Sequence, residues 1–231
     1  MSARPLILGH RGASSVLTEN TLEAFMKASE LGADGVELDV RRTADEALVV
    51  HHDAHLHDGR LIVELDEFGL PLYIPNLRAA LEACAGKFVN IEIKNLPIDP
   101  DFDPDERVAA GVVALVQEMA MASRVIVSSF GLAAIDAVRA ADPTIPTAWL
   151  TITGYDQLRA LETVVERGHR AIHPHHTVVT GELVEAAAAH DVLVNTWTVD
   201  DPAEMRRMAD LGVNAIVTND VALAVRTLRG E

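Results

Sequence analysis

The chain has 231 residues, with 19 basic and 35 acidic side chains and a net charge of −16; hydrophobic residues make up 49% and aromatics only 4%. That length and apolar content suit one sizeable domain, residues 1–231. The acidic surface argues against nucleic acid and anionic membrane as partners, since both need clustered Lys and Arg, and the low aromatic content disfavours grooves built on stacking.

The opening Met1–Pro5 leads straight into a short strand and lacks the apolar stretch of a secretory signal. With no run of ~20 apolar residues, the expectation is a cytoplasmic protein without stable membrane association. Leu6–Gly9 reads as a strand and ends on His10-Arg11-Gly12. Thr21–Leu31 reads as a helix, with a polar cap supplied by Glu19-Asn20-Thr21. Gly35–Val40 is the next strand, with Leu48–His51 beside it. Residues 53–75 break the rhythm where the second helix should begin, and read as a short insertion over the barrel mouth. Asn76–Ala85 is helical, and Phe88–Ile93 is a strand. Asn95–Asp103 is a loop with two prolines and three aspartates, on the same side as the insertion. Pro104–Met121 reads as a long helix with Pro and acidic residues in its first turn.

Five further strands follow, Arg124–Ser128, Thr147–Leu150, Ala171–His173, Val192–Val199 and Ala215–Thr218. They alternate with helices at Leu132–Ala141, Tyr155–Arg167, Gly181–His190, Pro202–Leu211 and Val221–Leu228. About eight strand–helix units predict an α/β fold with a parallel sheet, and in this length a closed (β/α)8 TIM barrel. The runner-up is an open doubly wound sheet, which would carry a G-x-G-x-x-G after its first strand; His10-Arg11-Gly12-Ala13 does not fit that pattern. The lone cysteine, Cys84, falls in a helical segment and reads as a buried inert thiol.

The chemistry lies where the strands end. Residues two apart on a strand share a face, so Glu37 and Asp39 form one carboxylate pair, and Glu92 and Lys94 an acid–base pair. Barrel active sites sit at the C-terminal ends of strands. Glu37, Asp39 and Glu92 are candidate ligands for one hard divalent cation, Mg2+ or Ca2+. The alternative is salt bridging with Lys94, Arg41 or Arg42. His10 and His52 are candidate acid and base because imidazole titrates near neutrality; His51 should face away from His52. Arg11 and Lys94 suit the oxygens of a small-molecule phosphodiester, while Lys94 also balances Glu92. Trp197, at the end of the seventh barrel strand, could wall the non-phosphate part of a substrate or pack in the core. His173, His175 and His176 cluster after the sixth barrel strand with no assigned role.

In combination these residues resemble the glycerophosphodiester phosphodiesterases. The resemblance rests on His10-Arg11-Gly12-Ala13-Ser14, Glu19-Asn20-Thr21-Leu22-Glu23-Ala24-Phe25, Gly35-Val36-Glu37-Leu38-Asp39-Val40 and Val50-His51-His52-Asp53. It continues through Asn90-Ile91-Glu92-Ile93-Lys94, Val127-Ser128-Ser129-Phe130 and Thr196-Trp197-Thr198-Val199, in order along nearly the whole chain. It implies a (β/α)8 barrel with one divalent metal, hydrolysing glycerophosphocholine or glycerophosphoethanolamine to glycerol 3-phosphate and an alcohol. It implies Glu37, Asp39 and Glu92 as metal ligands, His10 and His52 as acid and base, Arg11 and Lys94 on phosphate, and Trp197 in the pocket. The chain departs from the pattern at Leu17-Thr18, where a proline is usual, at Leu56-His57-Asp58-Gly59, and at Asp200, where Asn is usual. Two alternatives are a phospholipase D-like enzyme acting on lysophospholipids or sphingolipids and a non-catalytic barrel binding protein. The leaving alcohol, the native metal, the nucleophile (water or an internal hydroxyl) and the oligomeric state stay open.

Overall fold

The structure is a computed structural model that describes residues 4–230. Met1–Ala3, part of the segment expected to lead into the first strand, lie outside the described residues.

Eight parallel strands close into a barrel. They are β1 (Leu6–His10), β2 (Gly35–Arg42), β4 (Phe88–Ile93), β5 (Val125–Ser129), β6 (Thr147–Thr151), β7 (Ala171–Pro174), β8 (Leu193–Thr196) and β9 (Ala215–Thr218). Neighbours pair in the order β1-β9-β8-β7-β6-β5-β4-β2, and a β1–β2 pairing closes the ring. The short β3 (Leu48–Val50) runs antiparallel against the end of β2. Among the described residues eight α-helices surround the barrel: α1 (Leu22–Glu30), α2 (Leu77–Ala83), α3 (Arg107–Glu118), α4 (Leu132–Ala141), α5 (Gln157–Arg167), α6 (Gly181–Ala189), α7 (Pro202–Leu211) and α8 (Val221–Arg229). The expected (β/α)8 barrel is therefore the observed fold. No helix among the described residues is long and apolar enough to cross a membrane.

The period-2 rule separates two cores. Along β9, Ile216 joins the large apolar layer between sheet and helices, while Ala215 and Val217 point inward to pack with Leu8. A second inner cluster of Ile126, Ala148 and Ala171 fills the barrel axis. Above these inner clusters the inward positions turn polar. Register sets His10 beside Glu37 and Glu37 beside Asn90; one layer on, Asp39 lies beside Glu92 and Glu92 beside Ser128.

Two glycines make these approaches possible. Gly35 lies so close to β4 that a Cβ there would stand 2.2 Å from the Phe88 carbonyl oxygen. Gly12 has φ +86°, and a Cβ would meet the α1 backbone at Ala24 at 2.6 Å; only glycine fits both demands.

Local chemistry sets the element ends. Thr21, Asn76, Asp156, Thr180, Asp201 and Asp220 cap their helices by accepting backbone N–H groups. Gly168 and Gly212 end α5 and α7 in the left-handed conformation. The helix expected over Pro104–Met121 instead spans Arg107–Glu118. Asp103 accepts from the backbone N–H groups of Asp105 and Arg107, which folds Pro104–Glu106 into a turn ahead of the helix. The strand expected over Val192–Val199 is shorter: beyond Thr196 only a single bridge from Trp197 to His175 continues the pairing, and Val199 then donates to the Val217 carbonyl.

Residues 53–75 form two 3-10 turns, Ile62–Glu64 and Glu67–Gly69. Within and beside this segment a separate small cluster of Val49, Leu56, Ile62 and Ile74 is buried.

Candidate active site

The first strand delivers His10 and the turn after it delivers Arg11. Arg11 has φ 55°, a left-handed conformation uncommon for a side-chain-bearing residue. That turn aims its backbone N–H at Glu37 Oε2, 3.0 Å away. Its guanidinium lies between Glu19 (2.9 Å) and Asp39 (3.1 Å). Asn20, also left-handed at φ 57°, donates its amide to Asp39 Oδ2 at 2.8 Å. The loop between β1 and α1 thus holds β2's carboxylates from above.

Glu37, Asp39 and Glu92 are all buried, and one oxygen from each lies within 4.8 Å of the others. Lys94 sits against this cluster, 2.5 Å from Glu92 Oε1 and 3.1 Å from Asp39 Oδ1. Three carboxylates thus face two cations. Burial alone would raise the Asp39 pKa, but Lys94 and Arg11 pull it down to about 2. Burial, with Asp39 and Glu92 adding to it, pushes Glu37 well above the usual carboxylate range. Burial also raises Glu92, against the pull of Lys94, and Lys94 is raised by its two carboxylates despite burial. The two expectations for these acids therefore meet in one place: Asp39 and Glu92 form ion pairs with Arg11 and Lys94, Glu37 accepts only the Arg11 backbone N–H, and oxygens are left over. Arg41 and Arg42, the other expected partners, bind elsewhere. Arg41 Nη1 donates to both carboxylate oxygens of Asp101, at 2.8 and 2.7 Å, and Arg42 pairs with Glu46.

The leftover oxygens test whether a hard cation fits. Among the described residues, every buried side-chain oxygen without a hydrogen-bond partner lies on β2, β4 or β5: Glu37 Oε1, Asp39 Oδ1, Asn90 Oδ1 and Ser128 Oγ. Of these, Asp39 Oδ1 has the charge of Lys94 beside it but no hydrogen bond. Buried polar atoms are normally satisfied. Orphaned oxygens beside an excess of carboxylate are the donor set that Mg2+ or Ca2+ takes, so the residues fit such an ion.

His10 Nδ1 lies 2.7 Å from Asn219 Oδ1, and its Nε2 lies 3.9 Å from Glu37 Oε2. His52 Nδ1 lies 2.7 Å from Asp53 Oδ1, and Arg41 Nε donates to the His52 carbonyl at 2.8 Å. Burial lowers the pKa of both imidazoles, so each is favoured neutral. His51 turns its ring to the Asp53 carbonyl instead, as its opposite face requires.

Two cavities meet at Glu92. One, of about 420 Å³, is lined by His52, Asp53, Lys94, Phe130 and the loop at Leu96–Pro100. A narrow one, of about 20 Å³, is lined by His10, Glu37, His173 and Trp197. Trp197 is both wall and packing: its Nε1 donates to the His173 carbonyl at 2.8 Å, and its ring meets Phe130 edge-on at 5.5 Å. The three clustered histidines part company. His173 is buried against Asn195 and pushed by burial down to about 3. His175 packs edge-on to Trp197 at 5.1 Å, and His176 turns to Glu204. Cys84 is buried in the core, and burial pushes its thiol up to about 12.

Reading the strand ends does not single out Asn219, Phe130, Arg41 or Asp101 as site residues. Asn219 and Phe130 each directly follow a strand, so the same rule would reach them; the Arg41–Asp101 ion pair joins residues 60 apart and leaves no local signal.

A family model, the glycerophosphoryl diester phosphodiesterase family, matches residues 10–60 and 60–223. A glycerophosphodiester phosphodiesterase of Caldanaerobacter subterraneus subsp. tengcongensis is 32% identical, with 98% of this chain and 98% of that protein covered. The crystal structure of a glycerophosphodiester phosphodiesterase from Thermotoga maritima superposes with a TM-score of 0.82 at 28% identity, covering 98% of this chain and 99% of that one. One from Parabacteroides distasonis superposes with a TM-score of 0.87 at 25% identity, covering 100% and 99%.

Proposed function

The chain belongs to the glycerophosphoryl diester phosphodiesterase family and is an enzyme of the phosphodiesterase class, and from that premise we propose that it cleaves a glycerophosphodiester to glycerol 3-phosphate and an alcohol with His10 and His52 as base and acid around one divalent cation. The observation that carries this reading is the set of buried oxygens without hydrogen bonds on β2, β4 and β5, flanked by Arg11 and Lys94 at the barrel's C-terminal end. Glycerophosphocholine and glycerophosphoethanolamine are the substrates of first choice.

Glu37, Asp39 and Glu92 would hold the cation, Mg2+ or Ca2+. When bound, it supplies Lewis-acid neutralisation of phosphoryl oxygens. Arg11 and Lys94, each fixed by two carboxylates, bring positive charge that a free phosphate would not find on this acidic chain. Asp53 Oδ1 lies against His52 Nδ1 and opposes the effect of burial on that imidazole, which suits His52 rather than His10 to protonate the leaving alcohol. Asn219 is neutral against His10 Nδ1, which suits His10 to take the proton from the nucleophile. Trp197 and Phe130 wall the site. We assign residues 1–231 to one domain with 53–75 as its insertion. That segment's own small apolar cluster, together with the place of Asp53, Ala54 and His55 in the larger cavity wall, supports this assignment.

The test is release of glycerol 3-phosphate from both substrates in EDTA and after Mg2+, Ca2+ or Mn2+ is restored. Product only with metal is the expected result. Turnover that survives EDTA removes the cation from the reading, and preference for lysophosphatidylcholine replaces the substrate class.

A further inference from the structure

We infer that Asp200 and Asn219 are positioning residues that fix the tautomer of His10, through a donor–acceptor order that needs one carboxylate and one amide in the pair and fails with amides at both positions. The inference rests on the reading of His10 as the proton-accepting group.

Asp200 follows β8 and Asn219 follows β9, so the two meet across neighbouring strand ends. Asp200 Oδ1 accepts from Thr218 Oγ1 at 2.9 Å and from the Asn219 backbone N–H at 2.8 Å. Its Oδ2 accepts from Asn219 Nδ2 at 2.6 Å. An ionised carboxylate only accepts. The atom of Asn219 that faces it must therefore be the NH2 group, and the amide cannot flip. Asn219 Oδ1 is left facing Ser14 Oγ at 3.0 Å and His10 Nδ1 at 2.7 Å. Across that short contact the imidazole must donate, so the His10 proton sits on Nδ1. The lone pair then sits on Nε2, on the side of Glu37 and the cavity shared with Trp197. Position 200 is also where the sequence departs from the Asn usual in the family pattern.

Exchanging one member reverses the logic. In Asp200→Asn, one oxygen suffices for the Thr218 and Asn219 backbone donors, and the new NH2 then faces Asn219 Nδ2, donor against donor. Flipping Asn219 relieves this and turns its NH2 toward His10, which must then accept at Nδ1 and carry its proton on Nε2. The lone pair leaves the cavity side. In Asp200→Asn combined with Asn219→Asp, the carboxylate at 219 accepts from both neighbours, and the original tautomer returns.

The experiment is 15N-histidine labelling with ring 1H–15N spectra at about pH 8, above the ordinary histidine range, with His10 assigned by loss of its signals in His10→Gln. Expected are an Nδ1–H ring in the parent protein and an Nε2–H ring in Asp200→Asn. Turnover of the single variant should fall by about 10²–10⁴-fold, the range for a lost proton transfer. Tautomer and most of the turnover should return in the double variant. An Nδ1–H ring retained in Asp200→Asn, or an Nε2–H ring in the double variant, overturns the inference. If Asp200→Asn fails to fold, the double variant decides, since retention of the Nδ1–H ring is the prediction that the exchange of both residues makes. A tautomer that moves as expected with no change in turnover supports the positioning and instead overturns the role of His10.

Discussion

At the ends of β2, β4 and β5 the barrel buries Glu37, Asp39, Asn90, Glu92 and Ser128; at the ends of β6 to β9 it buries Thr151, His173, Asn195, Thr196 and Thr218, none of them a carboxylate or a permanent cation. The second sector satisfies itself. Thr151 donates to Gln157, Asn195 meets His173, Thr196 donates to the Pro174 carbonyl and Thr218 donates to Asp200. The first sector does not, and all four buried oxygens without a hydrogen bond among the described residues lie there. Both sectors are polar and equally buried, so polarity alone does not mark a site. What marks it is polarity that the protein leaves unanswered.

The strongest way to break this contrast is to remove the unanswered oxygens. Glu37→Gln and Asp39→Asn should each lower kcat/KM by about 10³-fold or more, the several kcal/mol a Lewis-acid cation contributes. Each should also abolish the rise in Tm on adding Mg2+ or Ca2+, because a ligand that binds only the folded state stabilises it. A variant that keeps that rise would show that its carboxylate holds no ion. Next, His10→Ala and His52→Ala should each cut kcat by about 10²–10⁴-fold, read in single-turnover assays with the metal saturating; near-parent turnover in either would remove that residue from proton transfer.

The neutral sector should respond in stability rather than rate. His173 has a folded pKa of about 3, depressed by burial from 6.5. Its contribution is fully present above pH 6.5 and is lost as pH falls toward 3, at about 1.4 kcal/mol per pH unit, since the unfolded chain takes up the proton first. His173→Gln should flatten the fall in denaturation free energy between pH 6.5 and 4 relative to the parent. An unchanged slope would mean that His173 is not held neutral. The smallest effect should come from Trp197→Phe, which keeps an aromatic ring and loses the donation to the His173 carbonyl and part of the indole's contact with Phe130 and His175. It should cost about 1 kcal/mol in urea unfolding and leave kcat within a few-fold.

How far the sequence carries depends on the range of the cause. α4 and α7 have the bounds expected from pattern and caps alone, and Glu37, Asp39, Glu92 and Lys94 fall together because two-residue spacing fixes the face of a strand. The pattern starts α3 three residues too early, because the Asp103 carboxylate captures N–H groups that periodicity assigns to a helix. The backing of His10 by Asn219 and of the His52 carbonyl by Arg41 is hidden for a different reason. The first depends on which strand ends meet around the closed ring, 209 residues apart, and the second on how far the antiparallel β2–β3 pair extends past Val50; spacing along the chain carries neither.

β1 is paired on one side with β2 and on the other with β9, and the bond from His10 to Asn219 spans 209 residues. Order of synthesis therefore matters. At roughly 5–20 residues per second, about 10–40 s separate the translation of the two partners. Once Glu92 has been added, a nascent chain holds all three carboxylates and His52, yet its first histidine has nothing behind it until Asn219 follows. Activity should arrive only with the last strand, so an unfinished chain bears the charge of the site without its chemistry.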